Sequence, residues 1–272
     1  MTLQIFALDG IGEVRPGDDL AALTVAAADG RLCDGDILAV TSKIVSKAED
    51  RFVQADDREQ AITDETVRLV ASRETPGGTV RIVQNRLGII AAAAGVDSSS
   101  VPVGTVLLLP EDPDRSARIL VDAIRERLGI RVGVIVTDTL GRAWRVGQTD
   151  AAIGIAGMDA VEDLRGTRDE YGQEMSVTIT ATADAIAGAA DLVKGKAQGL
   201  PIAVIRGLGH LVHDEPRPVS AADLLRPHAE AMFHTGAAES WAAGRAEGWS
   251  VGRAEGYDEG YAAALREHGI EP

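Results

Sequence analysis

Apolar positions gather into short, nearly uninterrupted runs: LQIFAL, DILAVTS, TVRIVQ, GIIAAAA, TVLLL, RVGVIVTD, SVTITATA and IAVIRG. Each predicts a strand. Several lack the alternation of a sheet with one wet face, so they read as strands covered on both sides. Between them the spacing turns helical. DDLAALTVAAAD starts on an Asp pair, DREQAITDETVRLVASRE places apolar residues at helical intervals, and DPDRSARILVDAIRERLG opens on Asp and Pro and closes at Gly129. The mixture predicts an α+β (mixed α/β) fold.

The pattern changes near Ala237. WAAGRAEGWSVGRAEGYDEGYAAALREHG repeats every eight residues, aligning Trp241, Trp249 and Tyr257, with glycine at 244, 248, 252, 256 and 260. Each glycine costs a helix roughly 1 kcal/mol relative to Ala. The expectation is therefore a solvated or loosely docked tail rather than an isolated helix. A packing segment for a partner subunit is the sharper alternative, and its Arg and Glu residues make it too polar for a bilayer. The chain divides into a region 1–236 and a Gly-rich extension 237–272.

At 272 residues, 45% of them hydrophobic, the chain can bury a substantial core. Three Phe, three Tyr and three Trp leave that core to Ala, Val, Leu and Ile and supply few platforms for base stacking. A net charge of −15 argues against nucleic acid and anionic membranes as partners. Any anionic ligand must be met by local Lys and Arg. The lone Cys33 excludes an internal disulfide and suits a reducing cytoplasm. MTLQIFALDG lacks the basic start of a signal peptide, and no stretch has the length and apolarity of a membrane span.

Phosphate-binding fingerprints are missing: there is no Walker A pattern, and GIGEVRPG and GLGHLV lack the third glycine of a dinucleotide loop. Chemistry concentrates at strand ends instead. Asp97 follows IIAAAAGV, and Asp138 and Thr139 follow VIVT, before Gly141, Arg142 and Arg145. Such hard oxygen donors suit Mg²⁺ or Mn²⁺, with phosphate and water completing the shell; a turn or helix cap is the ordinary alternative. Ser42, Lys43, Ser46 and Lys47 follow DILAV, where amides and ammonium groups can receive phosphates, or form a solvated basic loop. Arg142 and Arg145 are placed to meet phosphates or carboxylates, with a structural salt bridge as the alternative. His210 and His213, three apart with no nearby Cys, read as solvated loop histidines, and His228, His234 and His268 fall in the C-terminal part.

Taken in order, DILAVTSKIVSKAED, NRLGIIAAAAGVDSSSV, LLLPEDPDRSA, GVIVTDTLGRAWRVGQTDAAIGIAG, RDEYGQEM and ADLVKGKAQGLPIAVIRGLG resemble the coenzyme F420-0:L-glutamate ligase (F420 gamma-glutamyl ligase) family, most closely the ligase portion of the actinobacterial two-domain enzymes. The likeness runs from LDGIGEVRPGDDL to about Gly209. It implies a GTP-dependent ligase that joins L-glutamate to F420-0, then adds further glutamates in gamma linkage through an acyl phosphate. It also implies a two-domain monomer that forms a homodimer, and Mg²⁺ or Mn²⁺ as metal, with K⁺ a further candidate. By position, Asp97, Asp138 and Thr139 match metal-binding residues, and Ile11, Gly12, Glu13, Val14, Ser42, Lys47 and Ser100 fall where family members contact GTP. Lys196 stands where some members carry a metal-binding Glu. A metal-dependent phosphohydrolase, or a ligase for another carboxylate and amine, would use the same groups.

Overall fold

The computed structural model describes residues 2–55, 58–76, 78–227, 230 and 237–267. In chain order its elements are β1 (Gln4–Leu8), α1 (Leu20–Ala28), β2 (Asp36–Thr41), α2 (Ser42–Ala48), β3 (Phe52–Gln54), α3 (Arg58–Asp64), β4 (Thr66–Thr75), β5 (Gly78–Asn85), β6 (Ile90–Ala92) and β7 (Thr105–Leu107). There follow α4 (Pro113–Leu128), β8 (Val132–Arg142), β9 (Arg145–Ala156), β10 (Glu162–Asp163), β11 (Ile179–Thr180), α5 (Thr182–Lys194), β12 (Ile202–Arg206) and α6 (Ala237–Glu267). The mixed α/β reading holds.

The runs apolar at every position become the middle of a five-stranded sheet ordered β1-β12-β2-β8-β9. Within it β2 and β8 are parallel and the other neighbours antiparallel. Side-chain alternation sends Leu38, Val40, Val134, Val136, Ile202 and Val204 into one core, shared with α1, α2 and α4. Ile37, Ala39, Ile135, Ala203 and Ile205 enter a second core shared with α5. This explains the missing alternation in DILAV and VGVIV: both faces of these strands are covered.

The helix signals act as capping chemistry. Asp19 and Asp112 accept backbone N–H bonds from Ala22 and Arg115 at 2.9 Å, and Gly129 ends α4 in the left-handed conformation at φ 66°. The edge strand β9 is covered by acidic residues from two helix starts. Asp184 accepts from Ala152 N–H and Asp114 from Ile155 N–H, both at 2.8 Å, so these edge donors are not left for another strand. Gly154 makes this approach possible, because a Cβ there would lie 2.4 Å from the Pro113 carbonyl.

Residues 52–109 contribute the smaller sheets β4-β5-β6 and β3-β7, packed on Ile62, Val83, Val96 and Val106. The β10-β11 pair is the remaining sheet among the described residues.

Four expectations need correction. The helical reading of DREQAITDETVRLVASRE holds only for α3, and the rest is β4, where β-branched Thr66, Val67 and Val70 favour an extended chain. SVTITATA contributes only the two residues of β11 before Thr182 starts α5. The strand carrying Asp138 continues to Arg142 and turns directly into β9, which was not foreseen. Residues 237–267 form one helix, with Arg245 over Trp241 at 4.7 Å and Arg253 over Trp249 at 5.5 Å, pairs at the i,i+4 spacing of neighbours on a helix face. No helix among the described residues is long and apolar enough to cross a membrane.

Candidate active site

Asp138 and Thr139 are adjacent in sequence, yet β8 sends them to opposite faces of the sheet. Val134, Val136 and Leu140 share the alternation of Asp138 and pack in the core of α1, α2 and α4. Ile135 shares that of Thr137 and Thr139 and packs under α5. Each residue therefore belongs to a different polar cluster.

On the Asp138 face, the end of β2 leads straight into α2. Ser42, its first residue, donates from Oγ to Asp138 Oδ1 at 3.1 Å. Lys43, the next residue, pairs with Asp97 Oδ2 at 2.7 Å and donates to Ser99 Oγ at 2.7 Å. The start of α2 thus ties the two carboxylates together. Asp97 is held by reciprocal backbone bonds with Leu107, at 3.0 and 2.8 Å, and its Oδ1 accepts from Ser99 N–H at 2.7 Å. The Asp138 carboxyl is pushed up to about 6: burial is the main cause, reinforced by the charges of Asp150 and Asp97, while Thr139 N–H and Ser42 counter it. The Asp97 carboxyl goes the other way. Burial raises it, but Lys43 and Ser99 outweigh that and hold it below the ordinary value.

Of the residues expected to contact GTP, Ser42 bonds Asp138 directly and Ser100 follows the Ser99 bound by Lys43, while Lys47 lies further along α2 and joins it to the loop of residues 11–14. Val14 is buried and Ile11 packs against the same core, which fixes the loop carrying Gly12 and Glu13. Glu13 forms an ion pair with the Lys47 ammonium, whose side chain is only 5% exposed. Ser100, exposed and left-handed at φ 55°, follows the Ser99 that Lys43 binds. Ser46 is buried inside α2 and presents nothing at the surface.

On the Thr139 face, β9 supplies Asp150 directly across the strand from Thr139. Its carboxylate accepts from Thr139 Oγ1 at 2.8 Å, from Thr137 Oγ1 at 3.1 Å and from the Lys194 and Lys196 ammonium groups, each at 2.7 Å. Lys194 also donates to Thr137 Oγ1 at 2.7 Å, and Lys196 to Thr139 Oγ1 at 2.8 Å. Gly195, left-handed in φ at 61°, separates the lysines where α5 ends and lets both turn toward Asp150. Burial would raise the Asp150 carboxyl, but the two lysines and Thr139 prevail and hold it at about 2. Asp150 and Lys194 were not singled out from sequence. The available signal was the shared parity of Thr137 and Thr139, legible only once RVGQTDAAIGIA is recognised as a strand.

The remaining candidates fall outside these clusters. At the β8–β9 hairpin tip Arg142 donates to the Val146 carbonyl at 2.7 Å, and neither Arg142 nor Arg145 pairs with a carboxylate among the described residues. His213 lies 3.4 Å from Asp159 and is bonded by Arg217, lining with His210 a cavity of about 270 Å³. No group of three or more His, Cys, Asp or Glu suited to a metal occurs among the described residues. His228, His234 and His268 lie outside them.

The Asp138 face nevertheless offers two carboxylates that could hold a divalent ion. Mg²⁺ characteristically takes one or two carboxylates and fills its shell with phosphate and water. Asp97 and Asp138 are two such carboxylates: burial is the chief cause of the raised Asp138 value, and no Lys or Arg pairs with Asp138 among the described residues.

The F420-0:Gamma-glutamyl ligase family model matches residues 10–207. A protein of Methanopyrus kandleri named coenzyme F420:L-glutamate ligase is 39% identical over 248 residues, covering 85% of this chain and 98% of that protein. Proteins of the same name from Haloarcula marismortui, 39% identical over 75% of this chain and 87% of the relative, and Archaeoglobus fulgidus, 38% identical over 76% and 89%, are similar. The family match spans four of the five strands of the sheet (β2, β8, β9 and β12), α2 and both polar clusters of β8, and on that ground the chain belongs to the F420-0:gamma-glutamyl ligase family.

Proposed function

We propose that this chain is a GTP-dependent ligase that joins L-glutamate to the terminal carboxylate of F420-0 and then adds gamma-linked glutamates. The observation that carries the reading is the Asp97–Asp138 pair, tied together by Ser42 and Lys43 with Asp138 under-neutralised, in a chain whose curated relatives bear the ligase name.

A carboxylate is a poor electrophile. The chemistry requires an acceptor carboxylate oxygen to take the γ-phosphoryl group of GTP, releasing GDP and forming an acyl phosphate. The glutamate amine then attacks the acyl carbon, phosphate leaves with its electron pair, and the amine loses a proton. In such transfers the protein contributes mainly positioning and charge neutralisation. Asp97 and Asp138 would hold Mg²⁺ or Mn²⁺, which when bound neutralises phosphate charge. Ser42 and Thr139 N–H orient the Asp138 carboxylate, while Lys43 orients Asp97. Lys47, set by Glu13, and the loop of Ile11, Gly12, Glu13 and Val14 form the GTP side, with Ser100 at its rim. Arg142 and Arg145 are free of carboxylate partners among the described residues and serve as receivers for the polyanionic substrates. We extend the reading to a two-domain protomer acting as a homodimer, and to K⁺ as an accessory ion.

Mass spectrometry of purified protein with F420-0, L-glutamate, GTP and Mg²⁺ or Mn²⁺, omitting each in turn, tests this. Glutamylated product that needs all four components is expected. GTP hydrolysis indifferent to glutamate would overturn the ligase in favour of a phosphohydrolase.

A further inference from the structure

The Thr139 face holds a cation of its own. Lys196 Nζ lies 2.8 Å from Thr139 Oγ1, 2.7 Å from Asp150 Oδ1 and 2.6 Å from Asp191 Oδ1. These oxygens come from three elements: β8, β9 and the last turn of α5. An ammonium group has three N–H donors and no acceptor. All three are therefore spent inside the protein, and Lys196 has none left to donate to a ligand. It acts as a fixed point charge.

The surroundings separate this from a surface ion pair. Asp150 is only 5% exposed, and its other oxygen is already neutralised by the buried Lys194. Oδ1 with Thr139 and Asp191 would otherwise form a hard-oxygen set of the kind that takes Mg²⁺ or Mn²⁺. Lys196 reaches that set from solvent, with its side chain 55% exposed. The occupied set shares β8 with Asp138, one residue away on the other face.

We infer that the Lys196 ammonium is a built-in cation that occupies a Thr139–Asp150–Asp191 oxygen cage, so that the centre takes one divalent ion, at Asp97 and Asp138, rather than two. The inference rests on the metal reading given above for Asp97 and Asp138. Asp150 is then a positioning residue, holding Lys196 and the Thr139 hydroxyl in one arrangement. Charge on the Thr139 face is permanent, whereas that on the Asp138 face comes and goes with the metal.

The experiment is a count of Mn²⁺ bound per protomer. Full-length protein is titrated with Mn²⁺ alone and the free ion is followed by electron paramagnetic resonance. Wild type is expected to bind one ion and Lys196→Ala two, because removing the ammonium opens the cage; Lys196→Arg, which keeps the charge, is expected to remain at one. A thermal melt of each variant confirms folding, which the exposure of Lys196 favours. Equal counts in wild type and Lys196→Ala would overturn the inference, as would two ions in wild type. No ion in wild type but one in Lys196→Ala would support the cage while overturning the Asp97–Asp138 metal reading.

Discussion

The two faces of β8 solve opposite electrostatic problems within one residue of each other. On the Asp138 side, burial and two neighbouring carboxylates leave a charge that the fold does not fully neutralise, and the carboxyl is pushed up to about 6. On the Asp150 side, two lysines over-answer the same burial and the carboxyl is held at about 2. One face is built to receive a cation, the other already contains it. The difference teaches that an Asp next to a Thr is not by itself a ligand pair: strand alternation assigns them to separate environments, and each must be read with the residues it faces.

The largest test of that contrast is Asp138→Asn. It should cut metal-dependent turnover by about a thousandfold, equivalent to about 4 kcal/mol of transition-state stabilisation. Without metal it should make the protein more stable at pH 7. A carboxyl whose folded value lies above its unfolded one binds more protons when folded, so stability falls as pH rises from about 4 to about 6. Asn removes that slope. Urea unfolding at pH 4 and pH 7 would show it, and an Asp138→Asn protein less stable than wild type at pH 7 would contradict an under-neutralised site.

Asp150→Asn should act in the other direction. It leaves Lys194, 3% exposed, without its counter-charge, at a cost of about 3–5 kcal/mol. In wild type the stability carried by this depressed carboxyl is complete above about pH 4 and lost as pH falls toward 2. Acid unfolding curves of both proteins would measure this, and superimposable curves would remove Asp150 from the stabilising network.

What could be read from sequence follows from how local the cause is. The capped helices α1 and α4, the doubly buried β2 and the apolar first part of β8 are dictated by residues within the element, and they appear as predicted. Asp97, Asp138, Ser42 and Lys43 were legible because each follows an apolar run. The Asp150 cluster was not, because it depends on β9, whose glycine-interrupted sequence becomes a strand only by pairing with β8. In β4, Val67 and Val70 stand at helical spacing while Val67 and Leu69 stand at extended spacing, and pairing with β5 settles the matter.

A smaller effect is expected at the GTP side. Lys47→Ala should raise the KM for GTP about tenfold, the loss of one charge-assisted contact, while leaving that for glutamate nearly unchanged. Steady-state kinetics in each substrate separate the two, and equal changes would identify the pairing of buried Lys47 with exposed Glu13 as a structural support instead.

The smallest effect contrasts the β8 site with α6. Around β8 glycines are placed by contact: Gly154 has the Pro113 carbonyl where its Cβ would be. Along α6 Gly244, Gly248, Gly252, Gly256 and Gly260 face open space, and the aromatic residues Trp241, Trp249 and Tyr257 are exposed. The helix therefore bears the entropic cost of these glycines with no close packing against them among the described residues. Gly248→Ala with Gly252→Ala should strengthen the helix by up to about 2 kcal/mol in total, raising ellipticity at 222 nm without altering turnover. A loss of helix signal or of the oligomer in this variant would mean that the bare stripe is a contact surface, and that α6, like β9, owes its conformation to what lies against it.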